Sequence, residues 1–195
     1  MNNDRISLIN FIQQTLPISD QNAHTIASNF KLKIFGKNEF LLKQGQISND
    51  YLFLEIGFIR VFTYDTDGNE VTTNIYSKNS MVFEPASYIK RTPTKENIHA
   101  LTDCTTWIIK HDAFQTLFHS IPEFREFGRA NLVNGFIALK ERTLDMINLT
   151  AEQRYELLLN IRSDIFQNVP LKYIASYLGI TDTSLSRIRK EIMQK

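Results

Sequence analysis

The sequence predicts an α+β protein. It places an antiparallel β-sandwich or barrel behind short N-terminal helices, then a long helix, then a helix-turn-helix. Three observations carry this. Between Lys31 and Lys110, short runs rich in β-branched and aromatic residues recur between turn residues. Beyond Lys110 the apolar residues return to spacings of three and four. Near the C-terminus, Val169 to Ile192 (VPLKYIASYLGITDTSLSRIRKEI) reads as two short helices around a glycine.

Residues 4–29 read as two helices. Ile6, Ile9, Phe11 and Ile12 form an apolar face, Pro17 breaks the chain, and Ser19 caps a second helix through Ser28. Eight strand-like runs follow: KLKIF, EFLLK, YLFLEI, FIRVFTY, VTTNIY, MVF, NIHAL and TTWIIK. Between the fourth and fifth, Asp67-Gly68 is a hairpin-closing pair, because glycine tolerates positive φ. Evenly spaced short strands favour a sandwich or barrel over a parallel sheet.

Phe114, Leu117 and Phe118 mark a short helix ending before Pro122. A long helix is expected from about Glu123 to Asn148. On it Leu132, Phe136, Leu139, Lys140, Thr143, Met146 and Ile147 make a surface too wide for one neighbour, which predicts packing on the β-domain and on a second copy of the chain. Complete burial within one chain is the other reading, but few elements remain to cover both faces. A helix from Ala151 to Ser163 follows, capped by Thr150 with Glu152 and Gln153 in its first turn.

In the terminal pair, the first helix runs from Leu171 to Leu178 with Leu171, Ile174, Ala175 and Leu178 as its apolar stripe. Gly179 suits a left-handed C-terminal cap. Thr181 or Asp182 caps the second helix, whose inward positions are Leu185, Ile188 and Ile192. The rest of that helix is hydroxyls and cations, which suits the major groove, where arginine pairs bidentately with guanine. Helix pairs of this kind also occur in proteins that never touch nucleic acid. Charge shifts the balance: from Leu171 to Lys195 five cations face two anions, a net +3 within a chain of net +1.

Composition excludes several classes. Apolar residues at 43% and charged residues at 22% describe an ordinary globular chain. No apolar run reaches the roughly 20 residues of a membrane span, and MNNDRISLINF lacks a signal-peptide pattern. The expectation is a cytoplasmic protein without membrane contact. The single cysteine, Cys104, has no partner for an internal disulfide and cannot alone hold an iron–sulfur cluster, so it reads as a buried structural thiol. Four histidines (His24, His99, His111, His119) include no pair separated by one residue, so no metal site is expected. His99 and His111 flank a strand and could approach each other. No nucleophile triad, Walker loop or GxGxxG is present, and no catalytic residue or cofactor is assigned.

The order of β-domain, long helix and terminal helix-turn-helix resembles the Crp/Fnr family of bacterial transcription regulators. Asn38 to Gly45 (NEFLLKQG) resembles the family's first strand and glycine turn, and Tyr51 to Phe62 (YLFLEIGFIRVF) its hairpin. Asp67 to Val71 (DGNEV) is similar to the next turn, and Ala100 to Cys104 (ALTDC) to the segment before the last strand. The resemblance implies a jelly-roll of the cyclic-nucleotide-binding type over residues 1–120. It implies a dimerisation helix over 121–149 and a DNA-binding helix-turn-helix with a reduced wing over 150–195. It also implies a homodimer reading a two-fold symmetric operator in double-stranded DNA, with RNA polymerase as a further partner.

Position by position, the resemblance places Asp182, Thr183 and Arg187 at base-reading sites. It places Thr181, Ser184, Ser186, Arg189 and Lys190 along the phosphates. Asp182 departs from the pattern, since an acid suits helix capping or a cytosine amino group better than phosphate. The family's wing is shortened, with only Ile165 to Val169 before Pro170.

The effector pocket departs further. Family members that bind cyclic nucleotides use a Phe-Gly-Glu turn and an Arg-Ser pair. The corresponding residues are Phe83, Glu84, Thr94 and Lys95, of which Glu84 alone matches the pattern. Losing the arginine removes a bidentate contact to phosphate, and Lys95 or Arg91 supplies charge only with different geometry. The effector is left unassigned, and cyclic AMP is not expected to be it. The alternative function is a ligand-sensing or protein-docking β-domain whose terminal helices bind a protein instead of DNA.

Overall fold

The computed structural model describes residues 5–192. Asp4 and Lys195, included in the sequence reading, lie outside them. Two four-stranded antiparallel sheets face one another. The first has the order β1 (Lys31–Phe35), β8 (Cys104–Lys110), β3 (Asp50–Ile56), β6 (Ser80–Val82). The second has β2 (Phe40–Leu42), β7 (Asn97–Ala100), β4 (Ile59–Tyr64), β5 (Glu70–Tyr76). All eight expected strands form.

Strand alternation divides the core. On β3, Leu52 and Leu54 point between the sheets, where they meet Phe35, Ile59, Val61, Ile98 and Ile108. Tyr51 and Phe53 point outward to a second core, where α1 (Ile6–Thr15) and α2 (Asp20–Ser28) cover the first sheet. With both faces buried, β3 reads as a continuous apolar run. The turn from β3 to β4 requires Gly57: its φ is +108° and an added Cβ would stand 2.6 Å from both Asp103 O and Cys104 Sγ. Cys104 is 1% exposed, and burial pushes its thiol pKa up.

The β4–β5 hairpin is closed by a loop longer than a two-residue turn. The Asp65 carboxylate accepts from the backbone amides of Asp67 and Asn69, which holds its pKa below the usual range. A further helix, α3 (Pro85–Lys90), fills the stretch between β6 and β7 that the sequence reading left without an element. Its start signal is Pro85 at the first helical position after Glu84.

After β8 come α4 (His111–Ser120) and the long helix α5 (Pro122–Asn148), then α6 (Ala151–Ile161) with a Thr150–Gln153 capping box. The sequence reading ran α6 to Ser163. It stops earlier because Arg162 leaves helical geometry, its guanidinium donating to Ile75 O at 2.7 Å and Ser77 Oγ at 3.2 Å. A short helix, α7 (Ser163–Asn168), fills the linker where a wing hairpin was expected to be reduced. The pair α8 (Leu171–Tyr177) and α9 (Asp182–Ile192) completes the fold.

Candidate nucleic-acid interface

The turn between α8 and α9 is built by backbone chemistry. Gly179, at φ +69°, donates to Ser176 O at 3.1 Å, and Ile180 N donates to Ala175 O at 3.0 Å, a Schellman cap. Met146 Cε from α5 sits where a Gly179 side chain would go, 2.5 Å from the ideal Cβ. Thr181, and not Asp182, caps α9: its Oγ1 accepts from Ser184 N at 3.2 Å and donates to Ser184 Oγ at 3.0 Å. Asp182 lies exposed in the first turn, where a negative charge suits the positive end of the helix.

Only one side of α9 is buried. Leu185 and Ile188 are 1% and 5% exposed, with Ile192 packed beside them. Thr183, Ser186, Arg187 and Lys190 are exposed, and Ser184 and Arg189 half-buried. Arg187 Nε lies 3.9 Å from Glu191 Oε1, both side chains more than half exposed, so the pair restrains the guanidinium weakly. The expected base-reading and phosphate positions thus share one free face, except that the Thr181 hydroxyl is engaged in capping. On α8, Ile174, Ala175 and Leu178 are buried as expected, whereas Leu171 is 37% exposed: at the first turn it lies beyond the edge of the packed stripe.

α8 docks on β5 of the sandwich. Ser176 Oγ accepts from Thr72 N at 2.8 Å. Beside it Arg60, 1% exposed, lies between Phe62 and Tyr173, its guanidinium carbon 4.3 and 3.9 Å from their ring centroids. Arg60 also donates to Thr72 Oγ1 at 2.8 Å and pairs with Glu70 at 2.5 Å. Arg142 of α5 completes the junction, donating to Thr73 O and Tyr177 O. Sequence reasoning missed this clamp. Its signal was an arginine standing alone in the apolar strand FIRVF.

On α5, Leu132, Phe136, Leu139, Lys140, Thr143 and Ile147 are all exposed, Phe136 at 66% and Ile147 at 73%. Val133, Ile137 and Leu144 extend the same surface. Met146 is exposed at 40% like the others, and its end also lies over Gly179 of its own chain.

The four expected effector residues do not surround one cavity. Glu84 is the N-cap of α3, its carboxylate accepting from Ala86 N at 3.1 Å and Ser87 N at 2.6 Å. Buried Thr94 accepts from Glu96 N, and Lys95 is exposed. Burial, followed by the nearby Glu84 charge, raises the Glu96 pKa. Arg91 bonds to Ser48 O at 2.7 Å and to Asn49 Oδ1. A cavity of about 500 Å³ is lined by apolar residues such as Leu42, Leu52 and Ile98 and by polar ones including Asn49, Asp50 and Lys110, and of the four only Phe83 borders it. His99 and His111 do not converge: His99, on β7, lies tilted against Phe40, and His111 meets Tyr88 edge to face beside the other sheet.

Among the described residues, no helix is long and apolar enough to cross a membrane. Residues 32–120 match the cyclic nucleotide-binding domain family. No curated protein matches the chain by sequence. Solved structures similar to it include the c-di-GMP-responsive global regulator CLP of Xanthomonas campestris, at TM-score 0.71 and 13% identity over 90% of this chain and 92% of that one. FixK2 of Bradyrhizobium japonicum aligns at TM-score 0.72 and 13% identity, over 85% of each chain. A candidate Crp/Fnr-family transcriptional regulator of Eubacterium rectale aligns at TM-score 0.70 and 15% identity, over 92% and 88%. Residues 32–120 therefore resemble a cyclic nucleotide-binding domain, and the chain as a whole shares the fold of these three solved structures.

Proposed function

We propose that the protein is a sequence-specific DNA-binding transcription regulator, acting as a homodimer. One observation carries this reading: the outer face of α9 presents Thr183, Ser186, Arg187 and Lys190 together, unburied and without strong internal partners. A helix of that kind, seated by a thin apolar stripe, fits the major groove. Arg187 reads a guanine edge, Thr183 and Asp182 contact neighbouring base edges, and Ser184, Ser186, Arg189 and Lys190 hold the phosphate backbone.

The homodimer forms through α5, whose large apolar side chains from Leu132 to Ile147 are 40–73% exposed in the single chain. Such a face in water favours a second copy, and two-fold symmetry would present two α9 helices to successive major grooves. RNA polymerase is the further partner such a regulator requires. The domains then divide the work: sensing over 1–120, dimerisation over 121–149 and DNA reading over 150–195.

The effector is a small molecule other than cyclic AMP. Glu84 is committed to capping α3, Glu96 adds a second acid, and Arg91 is engaged by Ser48 and Asn49, which together disfavour a cyclic phosphate there.

Gel retardation over a salt series tests the DNA reading. Affinity should fall steeply as salt rises, and Arg187→Ala should cost about 1–3 kcal/mol of specific binding. Failure to retard any duplex at low salt would instead favour a docking surface for a protein.

A further inference from the structure

A second cavity, of about 350 Å³, lies outside the sandwich against the first sheet. Strand alternation separates it from the space between the sheets, since Tyr51 points outward where Leu52 points in. Its walls are Tyr51 of β3, Phe83, Tyr88 of α3, Phe114 and Phe118 of α4, and Leu132 of α5. The rings meet edge to face, with centroids 4.9 Å apart for Tyr51–Phe83, 4.8 Å for Tyr51–Phe114 and 5.7 Å for Tyr88–Phe114. Neither phenol is satisfied. The Tyr51 and Tyr88 hydroxyls are buried and have no hydrogen-bond partner, though their side chains are only 2% and 3% exposed.

Two orphaned hydroxyls in one aromatic wall are unusual, because a buried polar group without a partner is costly and rarely retained. Burial drives both phenols well above their ordinary pKa, so they remain neutral donors. Arg129 borders the cavity, but its guanidinium is paired with Glu126 at 2.7 Å and largely exposed. Among its lining residues the site therefore offers apolar faces, two neutral hydroxyls and the Gln115 amide, and no unpaired charge.

We propose that this cavity binds a small uncharged aromatic molecule bearing a hydrogen-bond acceptor such as a carbonyl, held by the Tyr51 and Tyr88 hydroxyls. Rings pack on the aromatic walls, and the acceptor satisfies donors that have no partner within the chain. Gly128 and Leu132 come from α5, so an occupant touches the sandwich and the long helix at once. The assignment does not depend on DNA binding.

The test uses the full-length protein and N-phenyl-1-naphthylamine, which brightens in apolar sites, displaced by acetophenone or by ethylbenzene. These two competitors share a shape and differ in the carbonyl. Acetophenone should displace the dye at about tenfold lower concentration, the ratio that one or two buried hydrogen bonds give. The double variant Tyr51→Phe/Tyr88→Phe should fold, bind the dye and lose that preference. Gly128→Ile should abolish brightening: a Cβ there makes ordinary contacts, 3.5 Å to Phe114 and 3.6 Å to Phe118, and the rest of the side chain fills the cavity. The proposal is overturned if the wild type does not brighten the dye or if the competitors displace it equally. Persistence of the preference in the tyrosine variant also overturns it, whether or not Gly128→Ile folds.

Discussion

Arg60 lies face-on to Tyr173, its guanidinium carbon 3.9 Å from the ring centroid. One residue belongs to β4 of the sandwich, the other to α8. A buried cation is tolerable here because its polar atoms are used: Nε donates to Thr72 Oγ1, and the terminal nitrogen meets Glu70. The electron-rich ring accepts the remaining charge. The contact fixes α8 on β5, and α9 is thereby held with its polar face outward.

A double-mutant cycle measures that contact. Arg60→Met and Tyr173→Leu should show a coupling of about 1–2 kcal/mol in urea unfolding, the range of a desolvated cation–π pair. A coupling of about 0.3 kcal/mol or less would mean that the two residues are merely neighbours.

The glycines at 57 and 179 share left-handed backbone but not surroundings. Alanine at Gly57 would press on Asp103 O and Cys104 Sγ inside a turn, whereas at Gly179 the obstacle is the flexible end of Met146. Gly57→Ala should cost roughly 2–4 kcal/mol, and Gly179→Ala about 1 kcal/mol. Thermal melts of the two variants should therefore rank in that order, and the reverse ranking would refute the geometry of the β3–β4 turn.

Cys104 should be inert in the folded protein. Its thiol is buried and its pKa raised, chiefly by desolvation, so less thiolate is present at any given pH than for an exposed cysteine. Ellman's reagent at pH 8 should label it only after denaturant is added. Prompt stoichiometric labelling of native protein would contradict this.

The apolar face of α5 predicts a particle of twice the 22.7 kDa chain mass. Light scattering should give that mass at micromolar concentration, and Phe136→Glu combined with Ile147→Glu should halve it. These side chains are 66% and 73% exposed in the single chain, so the substitutions disturb no internal packing. A wild-type monomer would remove the proposed dimer.

The strands were legible because each is short, β-branched or aromatic, and bounded by turn residues. The helix pair α8–α9 was legible because Gly179 punctuates two stripes of threes and fours. What escaped lay where local pattern is weak. α3 is six residues long and α7 equally short, too brief to show a period. Glu84 reads as a site residue from its position, yet its carboxylate accepts from backbone amides two and three residues on, a local bond that only the fold discloses. Met146 shares the spacing and the exposure of the other α5 residues, and that its end also lies over Gly179 is a contact no spacing shows. The Arg60 clamp depends on Tyr173, more than a hundred residues away. No sequence window spans that distance.

The central claim is that two copies of α9 read a symmetric duplex. Binding-site selection from random double-stranded DNA tests it most directly. The account predicts a two-fold symmetric consensus with half-sites about one helical turn apart and a guanine in each half that Arg187→Ala no longer selects. Recovery of no consensus, or of an asymmetric one that Arg187→Ala leaves unchanged, would contradict it.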